Sequence, residues 1–110
     1  MFLTETQVLA RIDRLSVTRL RTWIEMGCIQ PGAGPAPIHF TEADVARLQL
    51  LCELSDDLAI EESALPVILS LIDQVHGLRR QLRHFVEAVE GQPAAVRSAI
   101  AGHLRRLAER

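Results

Sequence analysis

Two groups of charged side chains carry the chemistry open to this chain of 110 residues. Arg11, Arg14, Arg19 and Arg21 fall close together near the start, and a guanidinium is a planar fork of donors suited to phosphate. Asp56, Asp57, Glu61, Glu62 and Asp73 form an acidic cluster mid-chain. Acids of this kind speed the approach of a basic surface and help select it as a partner. No catalytic set accompanies either group. His39, His76, His84 and His103 share no spacing with a carboxylate pair or a serine. Cys28 and Cys52 stand alone, with neither a CxxC motif nor a histidine cluster, and are expected to be small core residues rather than metal ligands or nucleophiles. The chain is therefore expected to be no enzyme and to hold no metal or cofactor.

Charge distribution narrows the choice between the two groups. Residues 1–50 hold five arginines against five acids, residues 51–90 three arginines against eight acids, and residues 91–110 four arginines against Glu109. The blocks carry net charges of 0, -5 and +3, within a formal net of -2. A domain that reads DNA draws affinity from several neutralised phosphates and normally shows a basic surplus. The arginine-bearing block shows none.

With 48% hydrophobic and 24% charged residues, the composition fits one small globular domain plus one extended element. Lone cysteines suit a reducing compartment. The first residues place Glu5 before any basic residue and lack a long apolar run, so neither a signal peptide nor a membrane span is expected, and the expected location is the cytoplasm.

The elements that position these residues are helices. "TETQ", residues 4–7, is a capping box, and Val8, Leu9 and Ile12 follow as the apolar face of a short first helix. Ser16 caps a second helix whose Val17, Leu20, Trp23 and Ile24 recur at three and four, and Gly27 supplies a left-handed stop. Only a few residues separate the two, the spacing of a helix-turn-helix unit. Trp23 is expected in the core. "PGAGPAP", residues 31–37, is a loop, because prolines and glycines alternate through it, and "IHF" leaves it as a short strand. Thr41 caps a third helix with Asp44 at its third position, and Val45, Leu48, Leu51, Cys52 and Leu58 form its apolar side.

Residues 64–90 read as one long helix, with Pro66 tolerated in the first turn. Ile68, Leu71, Val75, Leu78, Leu82, Phe85 and Val89 are spaced alternately by three and four, a heptad stripe. A second row of Leu65, Leu69 and Ile72 widens the face at the N-terminal end only, so the first turns are expected to pack on the chain's own domain and the later turns elsewhere. The helix spans roughly 40 Å, beyond a radius of gyration of roughly 10 to 13 Å for a domain of this size. Leaving Leu78, Leu82, Phe85 and Val89 in water would forgo on the order of 6 to 12 kcal/mol. The expected cover is the same helix of a second copy. Residues 92–110 form a short helix with Val96, Ile100, Leu104 and Leu107 on one side, folded back on the long helix or left as a frayed tail. The division expected is thus 1–60, 61–91 and 92–110.

"LRTWIEMGCIQP" resembles the second helix and turn of the MerR-like winged helix-turn-helix superfamily, with Arg21, Gly27, Ile29 and Pro31 in register. "HFTEADVARL" is similar to the wing exit and third helix of that superfamily, through Phe40, Asp44 and Leu48, and the heptad helix matches its dimerisation helix. The resemblance implies an all-α, MerR-like winged fold followed by a coiled-coil-type dimerisation helix and a short C-terminal helix. Departures are as informative. Where such regulators carry wing arginines, this chain has Ile38 and "GAGPAP", and the first aromatic of the reading helix is Thr22.

Over residues 3–90 the chain resembles the CbpM family of chaperone modulators, through "ELSDDLAIEESALPVILSLIDQVHGLRRQL". That resemblance implies a modulator that binds and inhibits the J-domain of a DnaJ/CbpA-type co-chaperone. J-domains present a basic helix, to which Asp57, Glu61 and Asp73, on consecutive turns, and secondarily Asp56 and Glu62, are the expected contacts. The alternative is a MerR-family DNA-binding transcriptional regulator that uses Arg11, Arg14, Arg19 and Arg21.

Overall fold

A computed structural model describes residues 2–32 and 38–110. Of the loop expected over residues 31–37, positions 33–37 lie outside the described residues. The chain is predominantly helical, with α1 (Glu5–Arg11), α2 (Val17–Glu25), α3 (Glu42–Cys52), α4 (Leu65–Glu90) and α5 (Ala94–Ala108). A π-helical turn (Glu53–Asp57) continues α3, and a 3-10 turn (Glu62–Ala64) leads into α4. No strand forms among the described residues. "IHF" contributes instead to two isolated antiparallel bridges, Leu3 with Phe40 and Gly32 with His39. A Cβ at Gly32 would lie 1.9 Å from His39 Nε2, so a side chain there would oblige the imidazole to turn aside.

The chain divides into two compact units, Met1–Leu71 and Ile72–Arg110, with the division inside α4.

In the first unit the helix starts follow local chemistry. Thr4 Oγ1 accepts from the Gln7 amide at 3.2 Å while Gln7 Oε1 accepts from the Thr4 amide at 2.8 Å, so two otherwise orphaned donors are satisfied at once. Ser16 Oγ accepts from the Arg19 amide at 3.1 Å, and Thr41 and Asp44 repeat the reciprocal box at α3. Gly27, at φ 80°, ends α2 in the left-handed region, which a residue without Cβ enters at no steric cost. These stops aim Val8, Leu20, Trp23, Phe40, Leu48 and Leu51 inward, each at most 1% exposed. Leu65 and Leu69 join them from the first turns of α4, as expected for the second apolar row. Cys28 and Cys52 are buried free thiols in the same core. Loss of hydration pushes both thiols above their usual pKa, which leaves them protonated and poorly nucleophilic.

Leu58 departs from the expected pattern. It is 65% exposed rather than part of the apolar side of α3. The cause is the π-turn, in which the Leu58 amide donates to the Glu53 carbonyl five residues back and rotates the following side chains out of the α-helical phase. Ala59, at φ 52°, then turns the chain through the left-handed region.

In the second unit the heptad stripe is largely uncovered. Leu78 and Leu82 are each 64% exposed and Phe85 is 73% exposed. The C-terminal segment is a regular helix, α5, and it does not fold back over the α4 stripe. Its own Leu104 is 60% exposed.

Candidate functional site

Arg14 and Arg19 of the first charged group meet Asp56 and Asp57 of the second within the first unit. Arg19, on the first turns of α2, closes a two-pronged ion pair on Asp56. Its Nη2 donates to Oδ1 at 2.5 Å and its Nη1 to Oδ2 at 3.1 Å, the paired geometry that makes guanidinium–carboxylate bonds strong. The same guanidinium donates to Ser55 Oγ at 2.9 Å and to the Arg14 carbonyl at 3.2 Å. It also lies over the Trp23 ring, with Cζ 5.0 Å from the centroid, which adds a cation–π contact. Arg14, between α1 and α2, donates from Nη1 to Asp57 Oδ1 at 2.8 Å and sits 3.8 Å from Asp56 Oδ2. The π-turn is thereby tied to the α1–α2 connection.

The remaining arginines of the set are also paired. Arg11 Nη1 meets Glu42 Oε1 at 2.7 Å, and Arg21 Nη2 meets Glu5 Oε1 at 3.4 Å. Arg47, outside the set, donates from Nε to the Cys28 carbonyl. A phosphate approaching α1 and α2 therefore competes with a carboxylate at each of the four positions offered for DNA, least at Arg21, whose side chain is 67% exposed.

Asp57, Glu61 and Asp73 do not lie on consecutive turns of one helix. Asp57 closes the π-turn, Glu61 lies in extended backbone before the 3-10 turn, and Asp73 is on α4 within the second unit. The left-handed Ala59 separates the first two. Glu61 and Glu62 are exposed, and the Asp57 side chain keeps 60% of its surface in solvent despite Arg14. Asp56 is the more enclosed, with 33% of its side chain exposed. Beside these residues a shallow cleft of about 420 Å³ is lined by Arg11, Arg14, Gln49, Cys52 and Glu53, among others. No group of three metal-ligating side chains converges among the described residues, and no described helix is long and apolar enough to cross a membrane.

The ion pairs make stability acid-sensitive. Hydrogen bonding from Arg19 holds the Asp56 carboxyl below its ordinary 3.8, and hydrogen bonding from Arg11 holds Glu42 below 4.5. A carboxylate whose folded pKa is depressed stabilises the fold above its unfolded pKa, and that contribution is lost as pH falls through the folded value. The melting temperature is expected to fall on acidification below about pH 4.5, and Arg19→Met should flatten part of that decline. Parallel slopes for the two proteins in thermal melts across the acid range would rule out a role for the Arg19–Asp56 pair.

Compared with known proteins, the chain matches no family model, no curated protein and no solved structure.

Proposed function

We propose that this chain is a non-enzymatic, cytoplasmic binding module that occupies the J-domain of a DnaJ/CbpA-type co-chaperone and inhibits it. In this reading α1, α2, the Gly32–His39 bridge and α3 make up a MerR-like winged helix-turn-helix, and α4 pairs with a second copy. The observation that carries the reading is the neutralisation of Arg11, Arg14, Arg19 and Arg21 by Glu42, Asp57, Asp56 and Glu5. A helix pair so neutralised is poorly suited to a polyanion, whereas the segment of residues 53–62 keeps exposed carboxylates that suit a basic protein surface. The resemblance of "DLAIEESALPVILSLID" to the chaperone modulators supplies the identity of that surface.

Glu61 and Glu62 meet the partner directly, together with the solvent-facing side of Asp57. Asp73 contributes from α4, and Asp56 acts mainly by holding Arg19. Calorimetric titration against the J-domain encoded nearest this gene is expected to show binding that weakens with salt. The double variant Glu61→Lys with Glu62→Lys should lower the affinity roughly tenfold or more. The proposal is lost if no J-domain of the same genome binds, or if a sharp DNA shift at physiological salt disappears in Arg21→Ala, which would put the transcriptional-regulator reading first.

A further inference from the structure

No residue between Leu54 and Leu65 is buried. The core that fixes α3 and the start of α4 therefore does not hold the intervening segment, which carries Asp57, Glu61 and Glu62. Two of its residues also stand in unfavourable settings. Leu58 is 65% exposed, and Ala59, at φ 52°, occupies the left-handed region, where a Cβ crowds the carbonyl oxygen that follows it. Backbone of this kind persists where its surroundings over-determine it. Two hydrogen bonds record the shape of the segment. The Leu58 amide donates to the Glu53 carbonyl at 3.1 Å and the Ile60 amide to the Leu54 carbonyl at 2.9 Å, both spanning more residues than an α-helical bond does.

We infer that Arg19 is the positioning residue of the partner-binding surface: without meeting the partner, its guanidinium holds this segment in the shape that presents Asp57, Glu61 and Glu62. This rests on the binding role proposed above for those acids and deepens it. Both terminal nitrogens of Arg19 are fully used. Nη1 donates to the Arg14 carbonyl and to Asp56 Oδ2, and Nη2 donates to Ser55 Oγ and to Asp56 Oδ1, which engages every hydrogen the two nitrogens carry. The ring of Trp23, itself 0% exposed, lies against the guanidinium. One side chain thus links a fully buried residue and the α1–α2 connection to Ser55 and Asp56. These two come directly after Leu54, the last buried residue before the segment.

The neighbouring pair does less of this holding. The Arg14 and Asp57 side chains are 44% and 60% exposed, against 23% and 33% for Arg19 and Asp56, and water and salt screen the more exposed pair more strongly. The fork of Arg19 matters as much as its charge. A lysine carries its donors on one nitrogen and cannot serve the carboxylate, the hydroxyl and the carbonyl together in this geometry. Charge also separates positioning from simple electrostatics by sign. Removing a cation from beside an acidic surface strengthens the attraction of that surface for a basic partner, whereas releasing the segment makes the partner pay to order it and weakens binding.

The test uses the full chain with Arg19→Met, which loses the charge and the fork, and Arg19→Lys, which loses the fork alone. Residue-resolved hydrogen exchange on the free protein should show the Leu58 and Ile60 amides exchanging roughly tenfold faster in both variants, with the Leu48 and Leu51 amides of α3 unchanged. Calorimetric titration with the J-domain encoded nearest this gene should show both variants binding roughly fivefold more weakly or worse. Tighter or unchanged binding by Arg19→Met overturns the inference. So does unchanged exchange at Leu58 and Ile60, or an equal acceleration at Leu48 and Leu51, which would make Arg19 a general stabiliser of the fold. A wild type that binds no J-domain overturns the binding reading, while faster exchange confined to Leu58 and Ile60 would still show that Arg19 holds the segment.

Discussion

Replacing Trp23 with alanine is expected to lower the melting temperature of the first unit steeply, because no other described side chain combines its size with complete burial. Trp23 is 0% exposed. Truncation of such a residue costs roughly 3 to 5 kcal/mol through lost transfer energy and the cavity left behind. A unit of this size has a total stability of about 4 to 11 kcal/mol at the usual energy per residue. The variant also strips Arg19 of the ring beneath its guanidinium. Trp23→Phe isolates a second effect. Among the described residues the Trp23 Nε1 donor is the buried side-chain atom without a hydrogen-bond partner, and a donor buried in this way is unfavourable. Phenylalanine removes that donor along with some volume, so its cost should be much smaller than that of alanine. Circular dichroism melts of the three proteins decide the matter. An alanine variant melting within a few degrees of the wild type would mean that the indole is not a central packing element.

The second large effect is a gain of DNA binding when the arginines are released. The triple variant Glu42→Gln, Asp56→Asn, Asp57→Asn leaves Arg11, Arg14 and Arg19 without their carboxylates. Each phosphate contact so created steepens the salt dependence by about 0.9 in the logarithm of affinity against the logarithm of salt. Three such contacts imply a roughly fortyfold loss of affinity between 50 and 200 mM salt. The variant should therefore bind duplex DNA without sequence preference at low salt and release it near physiological salt, whereas the wild type binds feebly throughout. Fluorescence anisotropy with a labelled duplex reads both. Equal binding by variant and wild type would show that the ion pairs do not restrain these arginines. Tight wild-type binding to one sequence would favour the regulator reading.

These expectations also mark where sequence reading reaches its limit. The starts of α1, α2 and α3 were legible because Thr4, Ser16 and Thr41 act within three residues of themselves, and the Gly27 stop is equally local. The burial of Leu65 and Leu69 followed from helical period alone. The pairing of Arg14 with Asp57 and of Arg19 with Asp56 was not legible. It joins residues 43 and 37 positions apart, and counting charge by block set those arginines and acids in separate groups. The position of Leu58 was missed for a different reason. Extending α3 at 3.6 residues per turn carries the apolar row through a segment that is wound more widely, and nothing in "ELSDD" announces a π-turn. The helicity of α5 was only partly legible, since four apolar positions do not say whether they have a surface to cover.

The π-turn has a consequence for how this chain tolerates changes in length. It works as a phase shifter, accommodating one residue more than an α-helical turn would before the chain leaves α3. Removing one residue from Glu53–Asp57 would let the wide turn relax into ordinary α-helix, and the residues after it would keep nearly their present phase. The acids that follow the deletion would stay near Arg19 and Arg14, and the elbow at Ala59 would keep its direction. Inserting a residue is the harsher change, because the turn already holds its extra residue and everything downstream would swing by roughly 100° about the helix axis. The connection between α3 and α4 is consequently slack towards loss of one residue and taut towards gain of one.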